Sequence, residues 1–261
     1  MNRIFGWALV VAILGAGATA YYYWQQKMAQ RVPPPSSTQA PPAPSEPAIR
    51  HPVEAVPAQP LPALSDSDAA MSDALADLIG KKSLTELFHP DRLIRRIVAT
   101  VDNLPRKKAP LLVMPVKPVP QPFARAGGSD NTVIGPDNPK RYAAYVKLAQ
   151  AVDAGKLAGV YFRFYPLFQQ SYVELGYPKG YFNDRLVEAL DNLIDAPDIK
   201  EPIKLVQPKV MYEFADPALE ARSAGQKIMI RMGHENAAKV KAKLREIRRE
   251  VTRRDSKSNR P

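Results

Sequence analysis

An uncharged apolar stretch near the N-terminus constrains this chain more than any other feature. Residues 4–24 carry no charged side chain and end in the aromatic cluster Tyr21-Tyr22-Tyr23-Trp24. As a helix that rises about 1.5 Å per residue, the stretch spans roughly 31 Å, which is the thickness of the hydrocarbon core of a bilayer. Aromatic rings are enriched where a helix leaves the bilayer. The sequence therefore predicts a transmembrane helix over residues 4–24 that attaches the chain to a membrane.

A cleaved signal peptide is the competing interpretation of the same stretch. Arg3 makes the N-terminus positive, and Ala18-Thr19-Ala20 fits a signal peptidase site. We favour a retained anchor because four aromatic residues follow that site directly. The three residues before the predicted helix are easily retained in the cytoplasm. We therefore expect a single-pass protein of the bacterial inner membrane whose C-terminal domain lies in the periplasm.

Proline dominates the segment after this stretch. Between residues 32 and 62, 11 of 31 residues are proline. Such a segment has too few large aliphatic side chains to bury a core, and it favours the extended polyproline II conformation. The sequence divides into a membrane anchor with its flanks (1–31), a Pro-rich disordered spacer (32–64), a folded, mostly helical domain that ends in a basic helix (65–255), and a disordered tail (256–261).

Helical periodicity characterises the folded region. Apolar residues recur three and four positions apart, as in Leu93, Ile94, Ile97 and Val101, which predicts a helix with one buried face. We expect a mainly α, irregular helical domain of about seven helices with minor short strands. The expected helices cover about 65–80, 90–104, 138–152, 156–175, 181–195, 218–232 and 234–253. Pro166 is expected to kink or split the fourth of them. Residues 83–88 are expected to form a turn, 126–135 a loop, and 203–206 and 210–214 short strands.

The composition excludes several kinds of catalytic site. The chain has no cysteine and three histidines, which excludes thiolate chemistry and leaves little for a metal centre or a histidine relay. It has no Gly-rich phosphate loop and no serine elbow. We therefore expect no catalytic residues, metal or cofactor. The alternative is a cell-wall hydrolase that uses two of Glu174, Glu188 and Glu213 near an aromatic groove, because glycosidases need two carboxyl groups about 5–9 Å apart.

An aromatic helix and the turns that follow it are the candidate ligand-binding region. Tyrosine offers a flat apolar face and a polar tip, which suits a glycan, a peptide or an anionic ligand. The candidate residues are Tyr165, Gln169, Tyr177, Tyr181, Asn183, Arg185, Gln207 and Lys209. A purely structural interpretation stays open for them: the rings pack as core, Asn183 or Asp184 caps a helix, and Arg185 forms an ion pair. Arg95, Arg96 and Asp102 are candidates for interhelical salt bridges.

Positive charge is concentrated at the C-terminus. Residues 66–238 include 23 basic and 21 acidic side chains, whereas residues 239–261 include 10 basic and 3 acidic ones. A solvated terminal helix whose apolar stripe docks on the body is one interpretation. Contact with a polyanionic envelope polymer is the other, with Lys241, Arg245, Arg248 and Arg249 as its candidate residues. Because no nucleic-acid-binding motif is present, we expect no nucleic acid partner.

Several short runs of the folded region carry a recognisable pattern. They are residues 94–106 (IRRIVATVDNLPR), 115–118 (PVKP), 165–170 (YPLFQQ), 180–185 (GYFNDR), 205–210 (LVQPKV) and 223–227 (SAGQK). Together they resemble a bacterial family known as domain of unknown function 3014. The resemblance covers about residues 65–251. It implies one N-terminal membrane helix and a Pro-rich linker, and it implies no activity. We expect a membrane-tethered envelope protein that binds or positions another envelope component. A tethered energy transducer is a rival, although the predicted span has no histidine.

Overall fold

Helices dominate the described part of the chain. The computed structural model describes residues 48–53, 60–128, 131–200 and 202–253, together with Gln25 and Lys27. The mainly α class with minor short strands is confirmed, and the described residues form nine α-helices where about seven were predicted. They are α1 (Asp68–Ile79), α2 (Lys81–Leu87), α3 (Leu93–Asn103), α4 (Ala143–Ala151), α5 (Ala154–Glu174), α6 (Phe182–Ile194), α7 (Pro217–Glu220), α8 (Ala224–Arg231) and α9 (His234–Thr252).

Two short antiparallel hairpins complete the architecture. The strand β1 (Arg125–Ala126) pairs with β2 (Val133–Ile134), and β3 (Leu205–Val206) pairs with β4 (Glu213–Phe214). The backbone amide of Ile134 donates to the carbonyl of Ile203 at 3.0 Å, which joins the two hairpins. The second hairpin confirms the predicted strands. The first lies in the segment that was predicted to be a loop.

The start of α3 differs from the prediction. Pro90 was expected to occupy its first position, but the helix begins at Leu93. The Asp68 carboxylate of α1 accepts hydrogen bonds from the backbone amides of Arg92 at 2.6 Å and Leu93 at 2.8 Å. A side chain from another helix thus satisfies the free amides at this end. Arg92 has a φ of 51°, so it turns the chain out of the helical path.

Three other boundaries also differ from the prediction. The expected turn at 83–88 is largely the helix α2, since Gly80 turns the chain between α1 and α2 with a φ of +83°. The expected helix 218–232 is divided into α7 and α8, because the Ser223 hydroxyl caps α8 by accepting from the Gln226 amide at 3.1 Å. Pro166 lies inside α5, which runs on as one helix instead of splitting.

Aromatic side chains of α5 occupy the centre of the main core. Phe164 is fully buried, and Phe168 stacks on Phe182 of α6 with ring centroids 5.7 Å apart. The helix α5 packs against α3 and α9, and α9 also packs against α4 and α6. Smaller apolar clusters lie around Met229 and around Ile230 of α8. Burial of the aromatic face explains why α5 tolerates its proline, since packing outweighs one lost backbone hydrogen bond.

The predicted membrane segment is not among these elements. Across the described residues, each helix is either too short or too polar to cross a bilayer. The predicted span 4–24 and the predicted tail 256–261 lie outside the described residues. Of the predicted spacer, residues 48–53 and 60–64 are described.

The first turn of α8 closely approaches the end of α3 at Gly225. Its backbone amide donates to the carbonyl of Leu104 at 2.9 Å, and an added Cβ would lie 2.6 Å from Cδ2 of Leu193. We expect Gly225→Ala to lower the free energy of unfolding by about 1–3 kcal/mol through overpacking. Gly159 in α5 is the matched control, because no atom lies within 4 Å of its added Cβ. Gly159→Ala should stabilise by about 0.5–1 kcal/mol. Urea unfolding of both variants tests this, and a loss in both would contradict it.

Candidate functional site

Asp102 brings two of the predicted binding residues together. This buried carboxylate near the end of α3 lies 3.1 Å from Nε of Arg185 and 3.0 Å from Nη2 of Arg106. The Tyr177 hydroxyl donates to it at 3.2 Å. Arg185 also pairs with Glu188 at 2.8 Å. The hydrogen bond to Asp102 raises the pKa of the Arg106 guanidinium. The cluster therefore ties α3 to α6 and to the turn after α5.

The other predicted salt-bridge residues have different partners. Arg95 pairs with Glu174 of α5 at 2.5 Å, whereas Arg96 pairs with Asp91 at 2.9 Å, just before its own helix. Arg95 and Asp102 thus each form an interhelical salt bridge, as predicted. Arg96 does not form one, because Asp91 is within reach one turn back along the chain.

Gln169 organises the turn between α5 and α6. Its Oε1 accepts from the Phe182 amide at 2.8 Å and from the Tyr165 hydroxyl at 3.2 Å. Its Nε2 donates to the carbonyl of Gly180 at 2.7 Å. Burial raises the pKa of Tyr165, which keeps its hydroxyl protonated as a donor. A ligand at these residues would have to displace hydrogen bonds that hold the turn.

Asn183 is fully buried and connects three distant parts of the chain. It accepts from the Tyr161 hydroxyl at 3.0 Å. Its Nδ2 donates to the carbonyl of His51 at 2.9 Å and to that of Val251 at 3.4 Å. Neither Asn183 nor Asp184 caps α6, which starts without a side-chain cap. The predicted cap is therefore wrong, because both side chains bind other segments.

Residues 50–53, within the predicted spacer, lie against the start of α6. The Asp184 carboxylate accepts from the amides of Arg50 at 3.0 Å and His51 at 2.7 Å. The amide of Val53 donates to the Tyr181 hydroxyl, and the Val53 side chain packs against the core. Backbone amides rather than large side chains make most of these contacts. The low hydrophobicity of the segment therefore could not reveal its position.

Gln207 and Lys209 belong to a different part of the domain. They lie in the turn between β3 and β4, where the Gln207 amide donates to the carbonyl of Val210 at 3.0 Å. That hairpin packs on Ile230 of α8. The other six candidate ligand-binding residues lie on α5, on α6 or in the loop between them. Gln207 and Lys209, which were predicted in the same ligand-binding region as the other six, thus lie next to a separate apolar cluster.

The basic helix α9 uses two of its four candidate residues to dock. Lys241 donates to the carbonyl of Ala196, and Nη2 of Arg248 lies 3.0 Å from Oδ2 of Asp191. Hydrogen bonding to Asp191 raises the pKa of the Arg248 guanidinium. Arg245 and Arg249 are exposed. The helix therefore both packs on the body and presents positive charge to solvent.

A large apolar cavity lies between α1, α4, α5, α6 and α9. Its volume is about 410 Å³, and among the described residues that line it Lys243 is the one with a charged side chain. The apolar stripe of α9 forms part of the wall through Val240, Leu244, Ile247 and Val251. The sequence predicted that this stripe faces the body. It could not predict the cavity, because a cavity forms only where side chains from several packed helices leave space unfilled.

The three carboxylates proposed for hydrolysis lie on different elements. Glu174 ends α5 and borders a cavity of about 240 Å³ with Arg92 and Arg95. Hydrogen bonds from Gln170 and from Arg95 lower the pKa of Glu174. Glu188 lies on α6 and Glu213 in β4. Glu174 and Glu188 each form an ion pair with a different arginine.

Glu220 connects β4 to α8 through two contacts that depend on its ionisation. It accepts from the Phe214 amide at 3.0 Å and pairs with Lys227 at 2.7 Å. Burial alone would raise the pKa of its carboxyl group, but Lys227 and the Phe214 amide lower it below 4.5. The pKa of Glu220 is lower in the folded than in the unfolded protein. The contact therefore stabilises the fold fully above the unfolded-state pKa and is lost as the pH falls through the folded-state pKa.

An NMR titration of the Phe214 amide should follow this loss. In Glu220→Gln the titration should be absent, and an unchanged curve would contradict the assignment.

No metal site is evident in the part of the chain that the structure describes. There, no three histidine, aspartate or glutamate side chains lie close enough together to hold a metal ion. His234 and Asp198 form an isolated pair.

Comparison with known proteins identifies the family. No curated protein and no solved structure matches the chain. The family described as Protein of unknown function (DUF3014) matches residues 93–248, which is more than half of the sequence. The matched range includes Asp102, Asn183 and Arg185. The chain therefore belongs to the DUF3014 family, as its sequence motifs predicted.

Proposed function

We propose that this chain is a membrane-tethered protein of the bacterial envelope whose helical domain binds and positions another envelope component without catalysing a reaction. The uncharged stretch at residues 4–24 and the Pro-rich segment support the tether and its location. The proposal for the domain rests on one observation, namely two loop tips that expose large apolar side chains.

The first tip is Leu111 and Leu112, which are 70% and 88% exposed, and the second is Val210 and Met211, which are 85% and 74% exposed. Lone apolar residues on a surface are ordinary, whereas contiguous exposed apolar patches mark surfaces that another molecule covers. Each tip places two exposed apolar side chains next to each other. Lysines 107, 108 and 209 lie close to the tips in sequence. An apolar pair beside positive charge suits a partner with an acidic, partly apolar surface.

The carboxylates support a binding role rather than hydrolysis. A glycosidase needs one carboxylic acid that stays protonated, and therefore a raised pKa. Glu174 has a lowered pKa because Gln170 and Arg95 hydrogen-bond to its ionised form. Glu188 is held in an ion pair with Arg185 at 2.8 Å. We therefore retain the binding role as the proposal.

The location is tested on the full chain with a C-terminal tag. We expect a full-length species in the membrane fraction, protected from protease in intact cells and digested in spheroplasts. Full-length chain in the soluble cytoplasm would overturn the proposal. A shorter soluble product that starts near Tyr21 would overturn the retained anchor and leave a secreted binding protein.

The binding role is tested by placing a photo-crosslinking amino acid at Leu112 or at Val210 in growing cells. We expect each position to give a discrete adduct with an envelope component. Lys156 is the matched control, because it is exposed on α5 and lies on neither tip. Absence of adducts at both tips, or the same adducts at Lys156, would contradict the proposed role.

A further inference from the structure

We propose that the apolar cavity between α1, α4, α5, α6 and α9 binds a medium-chain fatty acid, with the acyl chain in the cavity and the carboxylate at Lys243. This site is separate from the two exposed loop tips. Its wall includes Tyr161 and Val251, which bind Asn183 from outside the cavity, and it includes neither Asn183 nor Asp102. The inference therefore concerns a second, small-molecule function of the domain.

The size of the cavity indicates a ligand. The cavity is partly open to solvent, as the clefts that bind small molecules are. Its volume of about 410 Å³ falls within the range of small-molecule sites, about 300–1,000 Å³. A methylene group is about as large as a water molecule, which occupies roughly 30 Å³ in the liquid. The cavity thus has room for a chain on the order of a dozen carbon atoms.

The chemistry of the wall selects a hydrocarbon. Aliphatic side chains from six helices form much of it, among them Met71, Ile97, Leu148, Leu157, Leu186 and Leu244. Two tyrosines also line it, but their hydroxyls are engaged elsewhere. Tyr145 donates to the carbonyl of Lys117 at 2.7 Å, and Tyr161 donates to Asn183 at 3.0 Å. A sugar or nucleotide would leave its own polar groups without partners against this wall, which is costly.

Lys243 supplies the polar end of the site. Its side chain is 14% exposed, and its ammonium group lies 2.8 Å from the carbonyl of Val152 and 2.5 Å from Oε2 of Glu246. An ammonium group has three donors, so one more can serve a carboxylate oxygen. Exposed Lys239, Arg245 and Arg249 on the same helix add positive charge. An anionic head on an apolar chain therefore matches both parts of the cavity.

The experiment uses a photoreactive diazirine fatty acid and the purified full chain in lipid nanodiscs. We expect labelling of the cavity-lining segments, with Leu148 and Leu244 among the labelled positions, and competition by unlabelled laurate. The diazirine alcohol of the same length should label at least tenfold less. Absence of labelling in these segments, or equal labelling by acid and alcohol, would overturn the inference.

Variants distinguish labelling inside the cavity from labelling by probe in the surrounding lipid. Leu148→Trp fills the cavity and should reduce labelling at least tenfold, whereas Val173→Trp, on the exposed side of α5, should leave it unchanged. If Leu148→Trp lowers Tm, Ala149→Phe on the same wall replaces it. Lys243→Met should abolish the preference for acid over alcohol. Unchanged labelling in a folded, cavity-filled variant would refute the site. Because the assay uses purified protein, a negative result would leave the membrane location and the loop-tip contacts standing.

Discussion

Replacing Asp102 by alanine is expected to lower the free energy of unfolding by about 3–5 kcal/mol, because it leaves a largely buried charged partner without its buried counter-ion. Arg185 is that partner, with a side chain only 14% exposed, and its Nε lies 3.1 Å from Asp102. Arg106 and Tyr177 would lose the same acceptor. Urea unfolding of the full chain, followed by far-UV circular dichroism, measures the loss.

Two further variants test this explanation. Glu188→Ala removes the other acidic partner of Arg185, whose side chain is 51% exposed, and should cost less than about 1 kcal/mol. Adding Arg185→Met to Asp102→Ala should recover part of the loss, because the double variant no longer buries the charge of the arginine. Equal losses from Asp102→Ala and Glu188→Ala would show that burial of the pair does not govern the effect.

Asn183→Leu should be the second largest single loss, about 3 kcal/mol. Leucine has a similar volume but no polar atoms. The Tyr161 hydroxyl would therefore lose its acceptor, and the carbonyls of His51 and Val251 would lose their donor. Each buried polar group that loses its partner costs about 1–3 kcal/mol. The loss is again measured by urea unfolding.

A local readout distinguishes this mechanism from general damage to the core. Because Asn183 holds residues 50–53 through His51, the Val53 amide should exchange with solvent faster in Asn183→Leu, under conditions where the rest of the domain stays protected. Asn103→Leu is the matched control. Its amide group donates only along its own helix, to the carbonyl of Ala99 at 2.7 Å, so we expect a loss below about 1 kcal/mol. Unchanged exchange at Val53 would contradict the assigned role of Asn183.

Local rules predicted much of the helical framework. The three- and four-residue spacing of Leu93, Ile94 and Ile97 identified α3 and its buried face, and all three side chains lie in or against the core. Gly80 ends α1 as expected. These features depend on neighbours within a few residues, which is why periodicity and turn chemistry capture them.

Long-range contacts explain where those rules failed. Asp68 sets the first residue of α3 from another helix. Ser223 divides the predicted helix 218–232, and its hydroxyl also donates to Asn192 of α6 at 2.6 Å. Pro166 does not interrupt α5, because the aromatic residues around it are buried in the core. In each case a partner distant in sequence outweighs the local preference.

The candidate site shows the same division. Sequence alone determined the family, the helical class, the uncharged stretch at residues 4–24, the Pro-rich segment after it, and the residue types that carry charge and aromatic rings. Only the tertiary structure decided that Arg185 pairs with Asp102, that Asn183 holds residues 50–53, and that an apolar cavity opens beside Lys243. The physical reason is that helix formation and membrane insertion are summed over neighbouring residues, whereas ion pairs, buried hydrogen bonds and cavities depend on distances between segments far apart in the chain.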